Sequence, residues 1–366
     1  MERNIRIGIT QGDFNGIGPE VVLKSLANEM ITDLFTPVVF IDQRIMQQAI
    51  RQLHIEMPRY KVVEKAVDAR AGVINIVDLK LNDITLTPGK PDAISGQGAL
   101  ESLEAAVTAL TEGTIDALVT APISKEAIQS DKFKFPGHTE YLNSKAGDSF
   151  KSQMILFDDM LRVALVTTHV PVSKISEVLT TDAVADSIKS FAATLRKDFA
   201  ITAPKIAVLS LNPHTGDGGL LGHEEKEVIT PAINACSAEN ILAFGPFAAD
   251  GFFGSGAWRN YDGVLAMYHD QGLAPFKAIA GDKGVNFTAG LPWVRTSPDH
   301  GTANDIAWKG EADAQSMREA VYKAVDIYRR RKNHLEASAN PLEKYVSERP
   351  QRGERQQRTE NKNTEE

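Results

Sequence analysis

Three histidines follow apolar runs that the sequence predicts to be buried β-strands. His169 follows "RVALVTT", His214 follows "KIAVLSLNP", and His269 follows "VLAMY". In a mostly parallel α/β sheet, ligands bind outside the carboxyl ends of the strands, so the three imidazoles could meet at one point. Neutral imidazoles bind divalent metals, and three protein ligands leave a coordination position open. The pattern predicts a metal site; three separately hydrogen-bonded histidines are the alternative.

Polar and cationic side chains accompany these histidines. They lie in "FPGHTEYL" and in the stretch that follows the third histidine, and they are His138, Thr139, Lys277, Asn286 and Arg295. Together they could hold a phosphorylated or carboxylated small molecule through charge-assisted hydrogen bonds. A single lysine or arginine is more often a surface charge, so the hypothesis depends on the group.

Glycine-rich loops give weaker indications. The loop "GDFNGIG" matches neither the G-x-G-x-x-G fingerprint nor the P-loop pattern, although its place before a helix could suit an anion as well as a tight turn. In "NPHTGDGGLLGHEE" the glycines would let the backbone approach a ligand. Asp250 lies in a third such loop, "GPFAADGFFG", where an Asx turn is the alternative to a functional role.

Strands that alternate with amphipathic helices must position these residues. Ile5, Ile7 and Ile9 share one face of a first strand, and Pro19 and Glu20 suit the first turn of a helix through "EVVLKSLA". Further strands and helices follow in "PVVFI", "QRIMQQAIRQL", "ALESLEAAVTALTEG" and "IDALVTAP", with an irregular region near "TPGKPDAISGQG" and a last helix in "DAQSMREAVYKAVDIYRRRKN". The alternation predicts an α/β fold with a mostly parallel sheet and helices on both faces.

Composition narrows the class of protein. The 366 residues carry a formal net charge of −8 and no basic cluster, which argues against nucleic acid as a partner. The single cysteine, Cys236, cannot form an intrachain disulfide and suits a reducing compartment. The amino-terminal "MERNIRIGIT" has no signal-peptide core, and no apolar run is long enough to cross a membrane. We therefore expect a cytoplasmic protein that binds no membrane.

Long motifs occur in consistent order over residues 5 to about 330: "TQGDFNGIGPE", "TAPISKEA", "FPGHTEYL", "THVPV", "LNPHTGDGGLLGHEE", "GPFAADGFFG", "YDGVLAMYHDQGLAPFK" and "GVNFTAGLPWVRTSPDHGTANDIA". Together they resemble the motifs of the 4-hydroxythreonine-4-phosphate dehydrogenase family of vitamin B6 biosynthesis. Motifs of this length and order are specific to the family.

The resemblance implies a two-domain fold similar to isocitrate and isopropylmalate dehydrogenases. We expect residues 1–132 plus 304–335 to form one α/β domain, residues 133–303 a second that carries the metal and most substrate residues, and residues 336–366 a polar, disordered tail. The resemblance also implies a homodimer whose subunits share each active site.

The resemblance assigns roles residue by residue. The family's metal-binding histidines match His169, His214 and His269, and its substrate-contacting residues match His138, Thr139, Lys277, Asn286 and Arg295. "SPDHGTANDIA" is similar to the loop that binds the adenosine part of the nicotinamide cofactor, which implies roles for His300, Gly301, Thr302 and Asp305. The chain departs from the family at Phe14 and Asn15, where the family has Pro-Ala, and at Trp308, where glycine is usual.

The implied reaction oxidises the secondary alcohol of 4-hydroxythreonine 4-phosphate with NAD or NADP, and the keto acid then loses carbon dioxide to give 3-amino-2-oxopropyl phosphate. A divalent metal would stabilise the negative charge that develops on oxygen. Zinc suits three histidines, with cobalt, manganese or magnesium as alternatives. Lys277, Asp250 and Asp270 are all candidates for the general base.

Other functions stay open at this point. Relatives within the family oxidise a sugar-acid phosphate or an aromatic cis-dihydrodiol, although here the phosphate-binding residues are present. Phosphate acyltransferases resemble this fold and use no nicotinamide, and a three-histidine metal hydrolase would need none either. Reduction of a nicotinamide separates these classes. Three intact histidines argue against a purely metabolite-binding role.

Overall fold

The computed structural model describes residues 4–341, and within this range twelve strands form one sheet. The strands are β1 (Arg6–Thr10), β2 (Thr36–Ile41), β3 (Tyr60–Val63), β4 (Ile74–Asp78), β5 (Ala117–Val119), β6 (Gln153–Phe157), β7 (Arg162–Leu165), β8 (Lys205–Leu209), β9 (Leu242–Phe247), β10 (Gly263–Ala266), β11 (Val285–Ala289) and β12 (Val294–Pro298).

Eleven α-helices connect these strands in the described range. They are α1 (Gly18–Ser25), α2 (Ile31–Leu34), α3 (Gln43–Gln52), α4 (Ala93–Thr111), α5 (His138–Ala146), α6 (Ile175–Val178), α7 (Thr181–Lys197), α8 (Thr230–Ala238), α9 (Ala249–Gly254), α10 (His269–Ala280) and α11 (Gln315–Ala339). None of these helices is both long enough and apolar enough to cross a membrane.

The sheet consists of two parallel blocks. Its strand order is β3-β4-β2-β1-β5-β12-β11-β6-β7-β10-β8-β9. Pairing is parallel from β3 to β12 and from β7 to β9, whereas β11 and β6 join the blocks through three antiparallel pairings. Helices whose apolar side chains are buried cover the sheet. The predicted α/β fold with a mostly parallel sheet is confirmed.

The two blocks of the sheet can be compared with the two predicted domains. Strand β12, assigned to the second domain from sequence, pairs in parallel with β5 of the first block and antiparallel with β11. One apolar cluster includes Ile7 of β1 and Val208 of β8, so the core continues across both blocks. The division into residues 1–132 plus 304–335 and 133–303 stays a prediction.

Two helix boundaries differ from the predictions. Helix α4 begins at Ala93, inside the region predicted to be irregular. A capping box starts it there: the Asp92 side chain accepts a hydrogen bond from Ser95 N, and the Ser95 hydroxyl accepts one from Asp92 N. Helix α11 continues to Ala339, so residues 336–339 of the predicted disordered tail are helical. The last turns repeat good helix formers, and the rest of the predicted tail, from residue 342, lies outside the described residues.

Gly96 in α4 lets this helix approach the loop after β5. A Cβ at this position would lie 1.9 Å from the Ala127 carbonyl oxygen, which is backbone and cannot move aside. We expect Gly96→Ala to lower the free energy of unfolding by about 1–3 kcal/mol, measured by urea denaturation. Gly254→Ala is the control, because a Cβ there meets nothing within 4 Å, and it should be neutral or slightly stabilising. Equal effects in the two variants would contradict the close approach.

The two departures from the family pattern contact each other. Trp308 is buried with a φ of 61°, and its indole N–H donates to the Phe14 carbonyl over 2.8 Å. The Asn15 side chain donates to the Thr87 hydroxyl and accepts from Thr87 N. The loop after β1 is therefore tied to the segment that follows the predicted cofactor loop.

Candidate active site

A cleft of about 330 Å³ lies where the two blocks of the sheet meet, and we call it the central cleft. Its walls come from the loop after β5, the start of α5, strands β6, β11 and β12, and the first turns of α10. Nine of the predicted site residues line it: His138, Thr139, His169, His269, Lys277, Asn286, Arg295, His300 and Gly301. The described structure places His214, Asp250, Asp270, Thr302 and Asp305 outside its lining.

Arg295 is the deepest charge in the central cleft. Its side chain on β12 is buried, and the guanidinium donates only to hydroxyl groups, those of Thr120 and Thr288, the latter over 2.9 Å. No carboxylate of the described residues forms an ion pair with it. Burial lowers the pKa of Arg295 to about 10, and the Glu140 carboxylate opposes this shift only from a distance. A buried cation without an anionic partner is costly, so the cleft is suited to an anionic ligand.

His138 begins α5 beside this cation. Burial of the imidazole lowers its pKa well below the ordinary value of 6.5, and the charges of Arg295 and Lys125 lower it further. The buried Nε2 atom has no hydrogen-bond partner among the described residues. A neutral imidazole with one unsatisfied nitrogen can donate to or accept from a bound molecule.

This shift makes folding pH-dependent. Because the pKa of His138 is lower in the folded state, the unfolded chain binds a proton first, and stability falls as the pH drops below about 6.5. We expect His138→Gln to lose less stability than the wild type between pH 8 and about pH 5.5, as measured by thermal unfolding. Parallel pH profiles for the two proteins would show that His138 titrates normally.

Lys277 and Asn286 complete the polar wall. The Lys277 ammonium donates to the Asp299 carbonyl over 2.7 Å and lies 3.7 Å from the Asp299 carboxylate, which is largely buried. Burial raises the pKa of Asp299, and the Lys277 charge counteracts that effect. The Oδ1 atom of Asn286 is buried without a partner among the described residues. Both side chains therefore present groups that a ligand can bind.

His169 and His269 lie in the cleft after two neighbouring strands, β7 and β10. The Nδ1 atom of His269 is 2.6 Å from the Asp270 carboxylate, and that of His169 is 3.6 Å from the Glu140 carboxylate. A carboxylate beside Nδ1 favours the tautomer that leaves the Nε2 lone pair free. Each carboxylate therefore favours the tautomer in which Nε2 could bind a divalent metal.

His214 follows β8, the other neighbour of β10, but lies outside the cleft lining. The chain from His214 to Gly218 has φ values between 46° and 75°, a left-handed turn that carries the imidazole outward. The Glu225 carboxylate holds the base of this turn by accepting from Leu211 N and Asn212 N. Within the described part of one chain, no three His, Cys, Asp or Glu side chains are grouped to hold a metal. The three-histidine site stays a prediction.

The predicted cofactor loop lies at the mouth of the cleft. His300 and Gly301 line the cleft, and the Thr302 carbonyl accepts from Ile17 N over 3.0 Å. His300 Nε2 and Asn304 Oδ1 are buried without partners in the described structure, whereas Asp305 is exposed. Unsatisfied donors and acceptors on one loop fit a polar ligand.

Sequence reasoning missed several residues of the cleft. Thr120, Lys125, Glu140 and Asp299 line it without having been predicted. Glu140 and Asp299 lie within two residues of predicted site residues, so their position in the motifs "GHTE" and "SPDH" indicated them. Thr120 gave no such indication, because a threonine at a strand end is ordinary.

Comparison with known proteins now identifies the family. A profile described as pyridoxal phosphate biosynthetic protein PdxA matches residues 33–324. The 4-hydroxythreonine-4-phosphate dehydrogenase of Bacteroides thetaiotaomicron is 48% identical and aligns over 95% of this chain and 96% of its own. The D-threonate 4-phosphate dehydrogenase of Cupriavidus necator is 41% identical over 89% of this chain and 98% of its own.

A solved structure agrees with these matches. The crystal structure of 4-hydroxythreonine-4-phosphate dehydrogenase from Klebsiella pneumoniae superposes with a TM-score of 0.77 at 34% identity, and the match covers 89% of this chain and 98% of that one. Sequence and fold therefore point to the same relatives. The chain is an oxidoreductase that belongs to the family of the pyridoxal phosphate biosynthetic protein PdxA.

Proposed function

We propose that this enzyme oxidises the secondary alcohol of 4-hydroxythreonine 4-phosphate with NAD or NADP, with help from a divalent metal. The hydride goes to the nicotinamide and the hydroxyl proton to a base. The resulting 3-keto acid loses carbon dioxide and gives 3-amino-2-oxopropyl phosphate, a step in pyridoxal phosphate biosynthesis. The relatives named for this reaction include the one that is 48% identical.

The observation that carries the proposal is the buried Arg295 without a carboxylate partner. A substrate with phosphate and carboxylate groups supplies the missing anions. His138 and Lys277 would donate hydrogen bonds to the same anions, and Asn286 Oδ1 would accept one from the amino or hydroxyl group of the substrate. Held at both ends, the substrate would keep its reacting C–H bond directed towards the cofactor.

Two imidazoles support the metal. His169 and His269 fit a divalent ion because each has a carboxylate at Nδ1 and leaves Nε2 for the ligand bond. When bound, the ion would supply Lewis-acid stabilisation of charge on the substrate. Zinc suits imidazole ligands, and cobalt, manganese or magnesium would serve if other oxygens complete the shell. Of the proposed bases Lys277, Asp250 and Asp270, Lys277 is the one that lines the cleft.

The third proposed metal ligand, His214, would come from a second copy of the chain. His214 lies outside the cleft of its own chain, so we propose that it enters the cleft of a partner in a homodimer. Two apolar side chains in the segments beside this turn are exposed: Val172 is 78% exposed and Leu220 80% exposed. The Ser176 hydroxyl donates to Glu224, which holds these two segments side by side. Exposed apolar side chains of this kind favour association.

The nicotinamide would bind at the loop of His300, Gly301, Thr302 and Asp305. The partnerless His300 Nε2 and Asn304 Oδ1 support this position. Because His300 and Gly301 also line the cleft, a cofactor there would face the substrate. The choice between NAD and NADP is left to the assay.

The test is formation of reduced nicotinamide by purified, metal-stripped protein. The protein would receive 4-hydroxythreonine 4-phosphate or D-threonate 4-phosphate, with NAD or NADP and each divalent metal in turn. Metal-dependent turnover of the first substrate above the second is expected. Preference for D-threonate 4-phosphate would assign the chain to the activity named for the relative that is 41% identical. No nicotinamide reduction with either substrate by a folded protein would refute both substrate assignments and favour a relative that oxidises another substrate, such as a cis-dihydrodiol.

A further inference from the structure

Glu140 is a carboxylate of the central cleft to which no role has been assigned. It lies in the first turn of α5, two residues after His138, and its side chain is 35% exposed. Its Oε1 atom is 3.6 Å from Nδ1 of His169. Arg295 and Lys125 act on it electrostatically from farther away.

Glu140 is not the anionic partner of Arg295 in this structure. A carboxylate placed to neutralise Arg295 would contact the guanidinium, but the Arg295 nitrogens bind threonine hydroxyls instead. The carboxylate lies beside Nδ1 of His169, which leaves Nε2 of that ring available to a ligand. This is the arrangement in which a carboxylate orients a metal-ligating histidine.

The neighbouring histidine shows the same arrangement. His269 presents Nδ1 to Asp270 at 2.6 Å, so two imidazoles of one cleft each have a carboxylate on the same ring nitrogen. The carboxylates come from different elements, since Glu140 belongs to α5 and Asp270 to α10. For His169 the carboxylate therefore comes from a helix about 30 residues away in sequence. Mutation of Glu140 can remove this carboxylate without changing the histidine or its loop.

We propose that Glu140 is a positioning residue: its carboxylate lies 3.6 Å from His169 Nδ1, slightly beyond hydrogen-bond distance, and in the metal-bound site it would accept a hydrogen bond from that nitrogen and so direct Nε2 towards the metal. A neutral imidazole carries one proton, and the carboxylate keeps that proton on Nδ1. It would also restrict rotation of the His169 ring, whose side chain is 48% exposed. This inference rests on the metal site of the proposed function.

The test measures metal affinity directly and needs no turnover. Zinc binding to the metal-stripped full chain is measured by competition with a chromophoric chelator, and cobalt binding by its visible absorption. The variants are Glu140→Ala and Glu140→Gln. Glu126→Ala is the matched control, since it removes an exposed carboxylate near the cleft that does not line it. His169→Ala and His269→Ala report whether the histidines bind metal at all.

We expect Glu140→Ala to weaken zinc binding by about 10- to 100-fold and to alter the cobalt spectrum. Glu140→Gln should recover much of the affinity because its amide oxygen still accepts from Nδ1, and Glu126→Ala should bind like the wild type. Wild-type affinity in Glu140→Ala, with weakened binding in both histidine variants, would overturn the positioning role alone. Unchanged binding in both histidine variants would refute the metal site itself, and this inference with it.

Discussion

Mixing His269→Ala and His214→Ala chains is expected to recover about one quarter of wild-type activity, because half of the randomly formed dimers are mixed and one of the two sites in each is complete, whereas each variant alone should be inactive. The expectation rests on the proposed homodimer, in which His214 enters the cleft of the partner. His169 and His269 line one cleft, and His214 of the same chain lies outside it. In a mixed dimer, the His214→Ala chain keeps its own His269 and receives His214 from its partner. That cleft is complete, whereas the other lacks two ligands.

The measurement uses two affinity tags and co-expression, so that only mixed dimers are purified. In the purified mixed dimer one site of two is intact, and half of the wild-type activity per dimer is expected. Pairing His269→Ala with His169→Ala is the control, because each chain then lacks a histidine of its own cleft and no complete site can form. Recovery in the control, or none in the mixed dimer, would contradict a shared site.

Arg295→Met is expected to abolish binding of phosphate-containing ligands while leaving the folded protein as stable as before. The guanidinium is buried and has no carboxylate partner, so its removal also removes a desolvation cost. The same change removes the cation and its hydrogen bonds to a phosphate, which are worth about 2–5 kcal/mol when buried. Binding is measured as the rise in melting temperature with inorganic phosphate, and stability as the melting temperature without it.

Arg331→Met is the matched comparison, because the chain contains a second buried arginine that is paired. The Arg331 guanidinium contacts Asp198 with two nitrogens, at 2.7 and 3.0 Å. Its loss leaves a buried carboxylate alone and should cost about 3–5 kcal/mol of stability, with phosphate binding unchanged. If Arg295→Met destabilised the protein as much as Arg331→Met and still bound phosphate, the anion site would be wrong.

Sequence periodicity predicted much of the scaffold. Alternation in Ile5, Ile7 and Ile9 and the apolar run in 37–41 correspond to β1 and β2, and the helical pattern of 43–53 corresponds to α3. These elements depend on neighbouring residues, which a single sequence contains. The start of α4 was missed because Gly96 and Gly98 suggest a loop, whereas their small size serves close packing against Ala127 and Phe14.

The candidate site, like the fold, could be predicted from the sequence only in part. The residue types indicated an anion and metal site, and the motifs indicated which positions to examine. Strand order is a long-range property, so only the tertiary structure could show that β7 and β10 are neighbours and bring His169 and His269 to one cleft. The left-handed turn at His214 was equally hidden, because non-glycine residues rarely adopt it and no local pattern predicts it.

The sequence by itself determined the fold class, the family and the chemical types of the site residues, because each of these is encoded in local patterns and long motifs. The tertiary structure decided which charges are paired. Arg295 and Arg331 look alike in sequence, yet only Arg331 meets a carboxylate. Glu140 gained its relation to His169 in the same way, through the packing of α5 near the end of β7. Pairing depends on groups distant in sequence that folding brings together, and for that reason composition and spacing could not predict it.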